Sequence, residues 1–523
     1  MERRKKKRWE DEGISGIGRR EARTSCYEDS APRMTLNGDW KFLYLEAPEL
    51  SPEGFEQPGA AKDWDTIDVP SVWQLRGYGR MHYTDVLYLF PVNPPFVPSK
   101  NPTGIYKRTF FLEEDWMSGD TVLKFHGVDS AYEVWVNGMF IGYSKVSRLP
   151  SEFVITEAVK AGENDVTVRV CQWSDGTYLE DQDMWWCSGI FRDVELINEP
   201  KSAVLDCQIT ASLDASYRYG SVKAVIRAKG CGTGTYRLCD GDQVIVEGSF
   251  LCGDDCEDDF DDGRSGMCEN GRKNDCVTSL SSKEAAVTVF LHAGEVHPWT
   301  AETPYLYTFQ LDFEGHKTTY RTGFRSIELK DGNFTVNGAA ILLNGVNHHD
   351  YHPKEGRVTS YEQIKSDIIL MKQYNINAVR CSHYPANEYL YDLCDEYGLY
   401  VIDEADLECH GFEWTGKYSW ISDDPDWESA YVDRAVRMVK RDFNHPSILM
   451  WSLGNESSFG YNFVKSSEAV RALDSSRLIH YEGDFEAEAV DVYSTMYTWL
   501  DKLTEIAEGK LGKGKPHILC EYG

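Results

Sequence analysis

A chain of 523 residues with a formal charge of −31 and 13% aromatic side chains has length for about three domains of ~100–200 residues each. Its charge repels phosphate backbones and anionic membrane surfaces, which excludes a nucleic-acid or membrane partner and suits a neutral substrate. No run approaches the ~20 apolar residues that span a bilayer, and the basic start Arg3-Arg4-Lys5-Lys6-Lys7-Arg8 meets Trp-Glu-Asp-Glu rather than an apolar signal core. A cytoplasmic location with reduced thiols is expected.

Residues 1–33 read as an N-terminal tail whose basic run is solvated. Over 34–200, short β-rich runs alternate with Gly and Asn turns, among them Trp40-Lys-Phe-Leu-Tyr, Thr121-Val-Leu-Lys-Phe, Tyr132-Glu-Val-Trp-Val and Asp165-Val-Thr-Val-Arg-Val. This pattern predicts a β-sandwich. Residues 201–325 continue in the same style with Val222-Lys-Ala-Val-Ile-Arg, Ala286-Val-Thr-Val-Phe-Leu and Leu306-Tyr-Thr-Phe-Gln-Leu, which predicts a second, smaller sandwich. Its interruption at 252–282 is strongly acidic and holds Cys256, Cys268 and Cys276 after Cys252. The C-x3-C-x11-C-x7-C spacing, with no His inside, fits an acidic loop better than a zinc site.

From 326 to 523 the pattern becomes strand, loop, helix, repeated. Strands are predicted at 341–346, 378–381, 400–403, 448–453, 478–481, 490–494 and 517–520, with helices at 361–374, 386–397 and 428–443. This predicts a (β/α)8 TIM barrel counted to seven strands. In such barrels the active site gathers at the C-terminal strand ends, and those ends carry His349 after the first strand, His383 after the second, Glu408 and His410 after the third, Asn455-Glu456 after the fourth, Tyr497 after the sixth and Glu521 after the seventh. Each alone reads as a satisfied polar group; six on one rim read as a site.

Glu456 and Glu521, across a barrel mouth from one another, suit retaining glycoside cleavage, in which one carboxylate attacks the anomeric carbon and the other protonates the leaving oxygen and then activates water. Glu408 and His410, spaced i and i+2, either join a carboxylate around a cation or form a hydrogen-bonded structural pair. Oxygen ligands with a His suit Mg2+ or Mn2+ better than Ca2+.

The motifs Val92-Asn-Pro-Pro-Phe-Val-Pro, Asn101-Pro-Thr-Gly, Trp173-Ser-Asp-Gly-Thr-Tyr-Leu-Glu-Asp-Gln-Asp183-Met-Trp, Ser188-Gly-Ile-Phe-Arg-Asp, Ala378-Val-Arg-Cys-Ser-His-Tyr-Pro and Trp451-Ser-Leu-Gly-Asn-Glu resemble those of glycoside hydrolase family 2 β-galactosidases of the large bacterial lactase type. The resemblance implies a jelly-roll sugar-binding sandwich, an immunoglobulin-like sandwich and a catalytic TIM barrel. It implies hydrolysis of terminal β-galactosides such as lactose, with Glu456 as acid/base and Glu521 as nucleophile. It implies Mg2+ at Glu408, His410 and Glu456, a galactose contact and a Na+ ligand at Asp183, and further sugar contacts at His349, His383, Asn455 and Tyr497. A contact held by Asn in the family falls on Asp85 here. Family members continue past the nucleophile and assemble as homo-oligomers, so the chain is expected to be truncated just after this motif, with an incomplete Na+ site. The alternative is an inactive fragment that binds carbohydrate or needs a complementing chain.

Overall fold

A computed structural model describes residues 5–252, 277–281 and 284–522; of the four cysteines spaced around the acidic interruption, Cys256, Cys268 and Cys276 lie outside them. The first sandwich packs a seven-stranded sheet, which includes Gly38–Leu45, Thr103–Leu112, Ala131–Val136 and Gly162–Cys171, on a four-stranded sheet that includes Asp120–Phe125 and Val194–Glu199. Alternate residues of Asp165-Val-Thr-Val-Arg-Val turn inward: Val166, Val168 and Val170 are wholly buried, as a period-two pattern requires. The second sandwich pairs Ala203–Leu213, Tyr219–Lys229 and Glu284–Glu295 in one sheet and Gly232–Asp240, Tyr307–Phe313 and His316–Thr322 in the other.

Residues before 34 are no free tail. Gly16–Ile17 extends the first sandwich beside Met139–Ser144, Glu28–Asp29 extends the second beside His316–Thr322, and Arg33–Thr35 pairs with Val194–Glu199. Arg19 reaches Asp433 on the barrel at 2.8 Å, and Arg20 reaches Glu199 at 3.0 Å. The basic run is neutralised locally: Lys6 pairs with Glu12, Lys7 with Glu49 and Arg8 with Glu133. Lys6, Lys7 and Arg8 keep about a third of their side-chain surface in solvent, so the run is solvated and is also held by carboxylates on three different segments.

The third region holds all seven barrel strands: β1 (Gly345–His348), β2 (Ala378–Cys381), β3 (Tyr400–Glu404), β4 (Ile448–Ser452), β5 (Leu478–His480), β6 (Tyr493–Met496) and β7 (His517–Glu521). Helices α1 (Tyr361–Gln373), α2 (Glu388–Tyr397), α3 (Glu428–Asp442), α4 (Tyr461–Leu473) and α5 (Leu500–Ala507) cover them. Strands β1 to β5 form one parallel sheet and β6–β7 a second. The gap between them is bridged by side chains, His480 Nε2 lying 2.9 Å from Ser494 Oγ.

Two strands start later than their apolar runs suggest. Asn344 and Asn377 tie the chain ahead of β1 to the chain ahead of β2, so the ladder begins at Gly345 opposite Ala378. Asp491 takes the Ile479 amide at 2.8 Å, which holds residues before β6 in a turn.

No ladder joins β7 to β1 among the described residues. A cavity of about 780 Å³ lies there, lined by Val346, Val379, Ile402 and Ile518, and Asn347 Nδ2 donates across it to the Cys520 carbonyl at 3.0 Å. Both strand edges present unpaired backbone groups.

Helices α2 and α3 are locked by a buried pair. His445, just after α3, lies with Nδ1 2.6 Å from Asp395 Oδ2, whose other oxygen accepts the Ser447 amide at 2.9 Å. Burial alone would lower the histidine's pKa; the charge and hydrogen bond of Asp395 outweigh it and push it up to about 9. A folded-state value above the unfolded ~6.5 means a contribution of about 3 kcal/mol, fully present below pH ~6.5 and lost as pH rises through the folded value. His445→Gln should therefore flatten the decline of the urea midpoint between pH 6.5 and 9; equal declines in both proteins would reject the pair as its source.

Candidate active site

Domain one reaches into the barrel through residues 175–186. Glu408 accepts no ladder of its own strand; its amide donates to the Leu179 carbonyl at 2.8 Å, and the Asp181 amide donates to the Glu408 carbonyl at 3.2 Å. Beneath this splice Arg148 meets Asp406 at 2.7 Å and Glu180 at 3.6 Å, while Arg434 of α3 meets Glu180 at 2.8 Å. Both arginines are essentially fully buried. Each is tolerable there only because it is paired, and removing one partner from such a pair costs ~3–5 kcal/mol. The network fixes the sandwich to the barrel rim.

Glu456 follows β4 through Leu453-Gly454-Asn455. Gly454 sits at φ +149°, where a Cβ would lie 2.6 Å from the Leu407 carbonyl, so only glycine lets the chain pass so close to the β3 loop. That approach lays Asn455 and Glu456 beside Glu408 and His410. Asn455 Nδ2 donates to Glu408 Oε2 at 2.9 Å, and His410 Nδ1 is 3.2 Å from Glu456 Oε2.

Glu521, at the end of β7, accepts from Arg380 Nη1 at 2.8 Å on one oxygen and from Tyr497 Oη at 2.7 Å on the other. Tyr497, at φ +46°, also donates its amide to the Glu521 carbonyl at 2.9 Å. Arg380 is the hub: it donates to Asn455 Oδ1 at 2.8 Å and grips Glu404 through two bonds of 2.8 and 3.0 Å. Glu521, Arg380, Asn455 and Glu456 thus form one continuous chain across the mouth.

His383 Nδ1 lies 2.8 Å from wholly buried Glu404, and its Nε2 lies 3.7 Å from Glu521. Burial first, then the Arg380 charge, pull the imidazole down to about 3. It is neutral at working pH, donating from Nδ1 and turning an acceptor nitrogen to the pocket. His349 stands edge-on to it, ring centres 5.6 Å apart, with Tyr384 Oη 3.4 Å away; burial and then the two neighbouring histidines bring it also to about 3.

Glu408, His410 and Glu456 bring three ligand atoms within 4.8 Å of one another. Glu408 is wholly buried, and its Oε1 has no hydrogen-bond donor. Burial, then the Glu456 charge, push its carboxyl well above the usual range. An unpartnered buried oxygen beside a second carboxylate and an imidazole is a donor set that fits a divalent cation. Asp183 stands elsewhere: exposed, it accepts from Tyr83 Oη, and among the described residues it joins no cluster of three metal-ligating side chains. Asp85 is exposed on the same rim, and its charge adds to that of Asp183 in raising Tyr83 to about 12, the hydrogen bond to Asp183 being the largest cause.

The structure thus assembles Glu456, Glu521, Asn455, His383, His349, Tyr497, Glu408 and His410 around one mouth, with Asp183 and Asp85 on the sandwich side. Sequence reasoning assigned no role to Arg380 or Glu404, although a charged residue inside an otherwise apolar parallel strand is itself a signal that it must be paired. It also assigned nothing to the end of β5, where Glu482 is raised to about 7 by burial first and then by Glu456 and Glu521.

Two family models match the chain: glycosyl hydrolases family 2, sugar binding domain, over residues 34–200, and glycosyl hydrolases family 2, TIM barrel domain, over residues 327–523. The chain belongs to glycosyl hydrolase family 2. Among similar family members are proteins named β-galactosidase from Alteromonas mediterranea, 40% identical over 95% of this chain and 48% of that protein, from Photobacterium profundum, 42% over 94% and 48%, and from Kluyveromyces lactis, 40% over 95% and 52%. The chain spans about half the length of the curated relatives it matches. A solved β-glucuronidase of an uncultured Clostridium superposes with a TM-score of 0.74 at 22% identity, covering 96% of this chain and 85% of that one, which shows a shared fold.

Proposed function

We propose that this chain carries the two carboxylates of a retaining β-galactosidase, with Glu521 attacking the anomeric carbon and Glu456 protonating the leaving oxygen and then deprotonating water. The observation that carries the reading is the unequal wiring of the two glutamates. Both Glu521 oxygens are held as acceptors, by Arg380 and by Tyr497, which fixes the nucleophile in one orientation. Glu456 sits in a balance instead. Burial is the largest influence on it and pushes upward, while the hydrogen bond and charge of His410, with the Arg380 charge behind them, bring it net below its usual value. A sugar filling the mouth deepens the burial and moves this carboxyl toward the neutral form an acid needs. Choice of galactose is supported by the names of relatives 40–42% identical.

Neutral His383 and His349 offer ring nitrogens to sugar hydroxyls, and Asp183, with Asp85 beside it, lines the approach from the sandwich. Glu408, His410 and Glu456 would hold Mg2+, which when bound supplies a fixed charge beside the acid/base. Na+ beside Asp183 and assembly into a homo-oligomer belong to the same proposal. Exhaustive chelation should lower activity of a protein that includes a second half like that of the relatives, Mg2+ should restore it, and His410→Ala should abolish the difference. An unchanged rate after chelation would leave the three side chains a structural cluster.

The assignment of roles is tested by azide. In the same setting, with a second half like that of the relatives, Glu456→Gln with an activated nitrophenyl β-galactoside should be rescued by azide and give β-galactosyl azide, since glycosylation then needs little acid and azide replaces activated water. An α-configured azide would exchange the two roles. A second reading, in which the chain binds carbohydrate but turns nothing over until another polypeptide supplies a strand, is favoured by the unpaired edges of β1 and β7.

A further inference from the structure

A separate cavity of about 310 Å³ shares no lining residue with the glutamate site. It lies where the first sandwich, the second sandwich and helices α2 and α3 converge, closed over by residues 20–33. Four of its lining atoms are buried without a hydrogen-bond partner: Glu152 Oε2, Thr318 Oγ1, Glu388 Oε1 and Arg441 Nη1; Glu152 Oε2 is met by the Arg23 charge at 3.0 Å, which leaves the other three. Thr318 and Arg441 are each 3% exposed. The rest of the Arg441 guanidinium is committed, to Asp442 at 2.7 and 2.8 Å and to the Ala386 carbonyl at 3.0 Å, which leaves Nη1 as the free donor. Glu388 Oε1 has cations around it but beyond bonding range, His126 Nδ1 at 3.6 Å and Lys124 Nζ at 4.0 Å.

Buried polar atoms are nearly always served by something, and these three ask for different things. Arg441 needs an acceptor, Glu388 needs a donor, and the Thr318 hydroxyl takes either. An inorganic anion would answer Arg441 and be repelled by Glu388; a small cation would answer Glu388 and meet Arg441, Lys124 and His126. A hydroxyl both donates and accepts, so several hydroxyls on one neutral frame answer all three at once. The volume stands at the lower end of the ~300–1,000 Å³ of ligand pockets, which limits the frame to a single ring or short chain. We propose that this cavity is a second binding site, for a neutral polyol of cyclitol or hexitol size, distinct from the site that would take a β-galactoside.

The test uses myo-inositol as probe and saturation-transfer NMR on the 523-residue chain. Transfer to inositol is expected, and it should persist in excess isopropyl β-thiogalactoside. Thr318→Val, which keeps the shape and deletes the hydroxyl, should weaken binding roughly fivefold, the effect of one net hydrogen bond, and Lys124→Met should change it less. Cys26 also lines the cavity, so inositol should slow its alkylation by N-ethylmaleimide in the unmutated chain, a readout that needs no variant. Absence of transfer, equal affinity in Thr318→Val, displacement by the thiogalactoside, or binding of inorganic phosphate in place of inositol would each overturn the proposal.

Discussion

Glu521→Gln should reduce kcat by roughly 10⁴–10⁶-fold, the scale seen when a covalent nucleophile is removed, with KM almost unchanged. The variant is meant for a protein that includes a second half like that of the relatives. The amide keeps the volume of the carboxylate and an oxygen for Arg380, so the mouth stays assembled; what disappears is the ability to form a glycosyl ester. Mass spectrometry after reaction with a 2-fluoro-galactoside should place the label on Glu521 in the unmutated protein and find none in the variant. A label on Glu456 would refute the assignment.

The 523-residue chain by itself should hydrolyse a nitrophenyl β-galactoside at least about 100-fold more slowly than a protein with that second half, because Glu521 stands on a strand whose outer edge is unpaired among the described residues and whose sheet has no strand ladder to its neighbour there. A displacement of about 1 Å at the reacting groups is worth a factor of that size. Limited proteolysis should cut first within residues 484–522, where none of the α5 side chains is fully buried, and leave the sandwiches and β1–β5 intact. Adding the C-terminal half of a relative in trans should restore turnover and protect the cut sites. Full activity of a verified 523-residue species alone would show that β1 and β7 hold the site without a further strand.

Much of this was legible because buried parallel strands are written as short apolar runs ending in polar residues, and β2, β4 and β7 follow that form. Glu456 and Glu521 were visible for the same reason, each a carboxylate directly after such a run. The start of β6 was not, because Val490 and Val492 pack inward from a turn held by Asp491, and burial of a loop looks in sequence like burial of a strand. Arg380 was given no role because its importance is geometric: Asn347 of β1, Glu404 of β3, Glu521 of β7 and Asn455 after β4 converge on it, and no spacing in the sequence records that. The metal-type cluster needed the β4 turn at Gly454 to bring Glu456 to a loop nearly fifty residues away. Residues 5–33 were the least legible, since their partners are short two- or three-residue pairings and single charges scattered over every domain.

That last segment also bears on the order in which the molecule assembles. Arg19 bonds Asp433 across a separation of 414 residues, and Arg437 bonds the Arg20 carbonyl across 417. Contacts of such span return nothing until the intervening chain is compact, and the entropy of closing the loop must be met first. Each sandwich can reach its own topology without them. The segment therefore docks only on surfaces that already exist, α3 included, and its closure reports that sandwiches and barrel have come together. A folding intermediate with both sandwiches formed would carry residues 5–33 partly undocked, their arginines still in water.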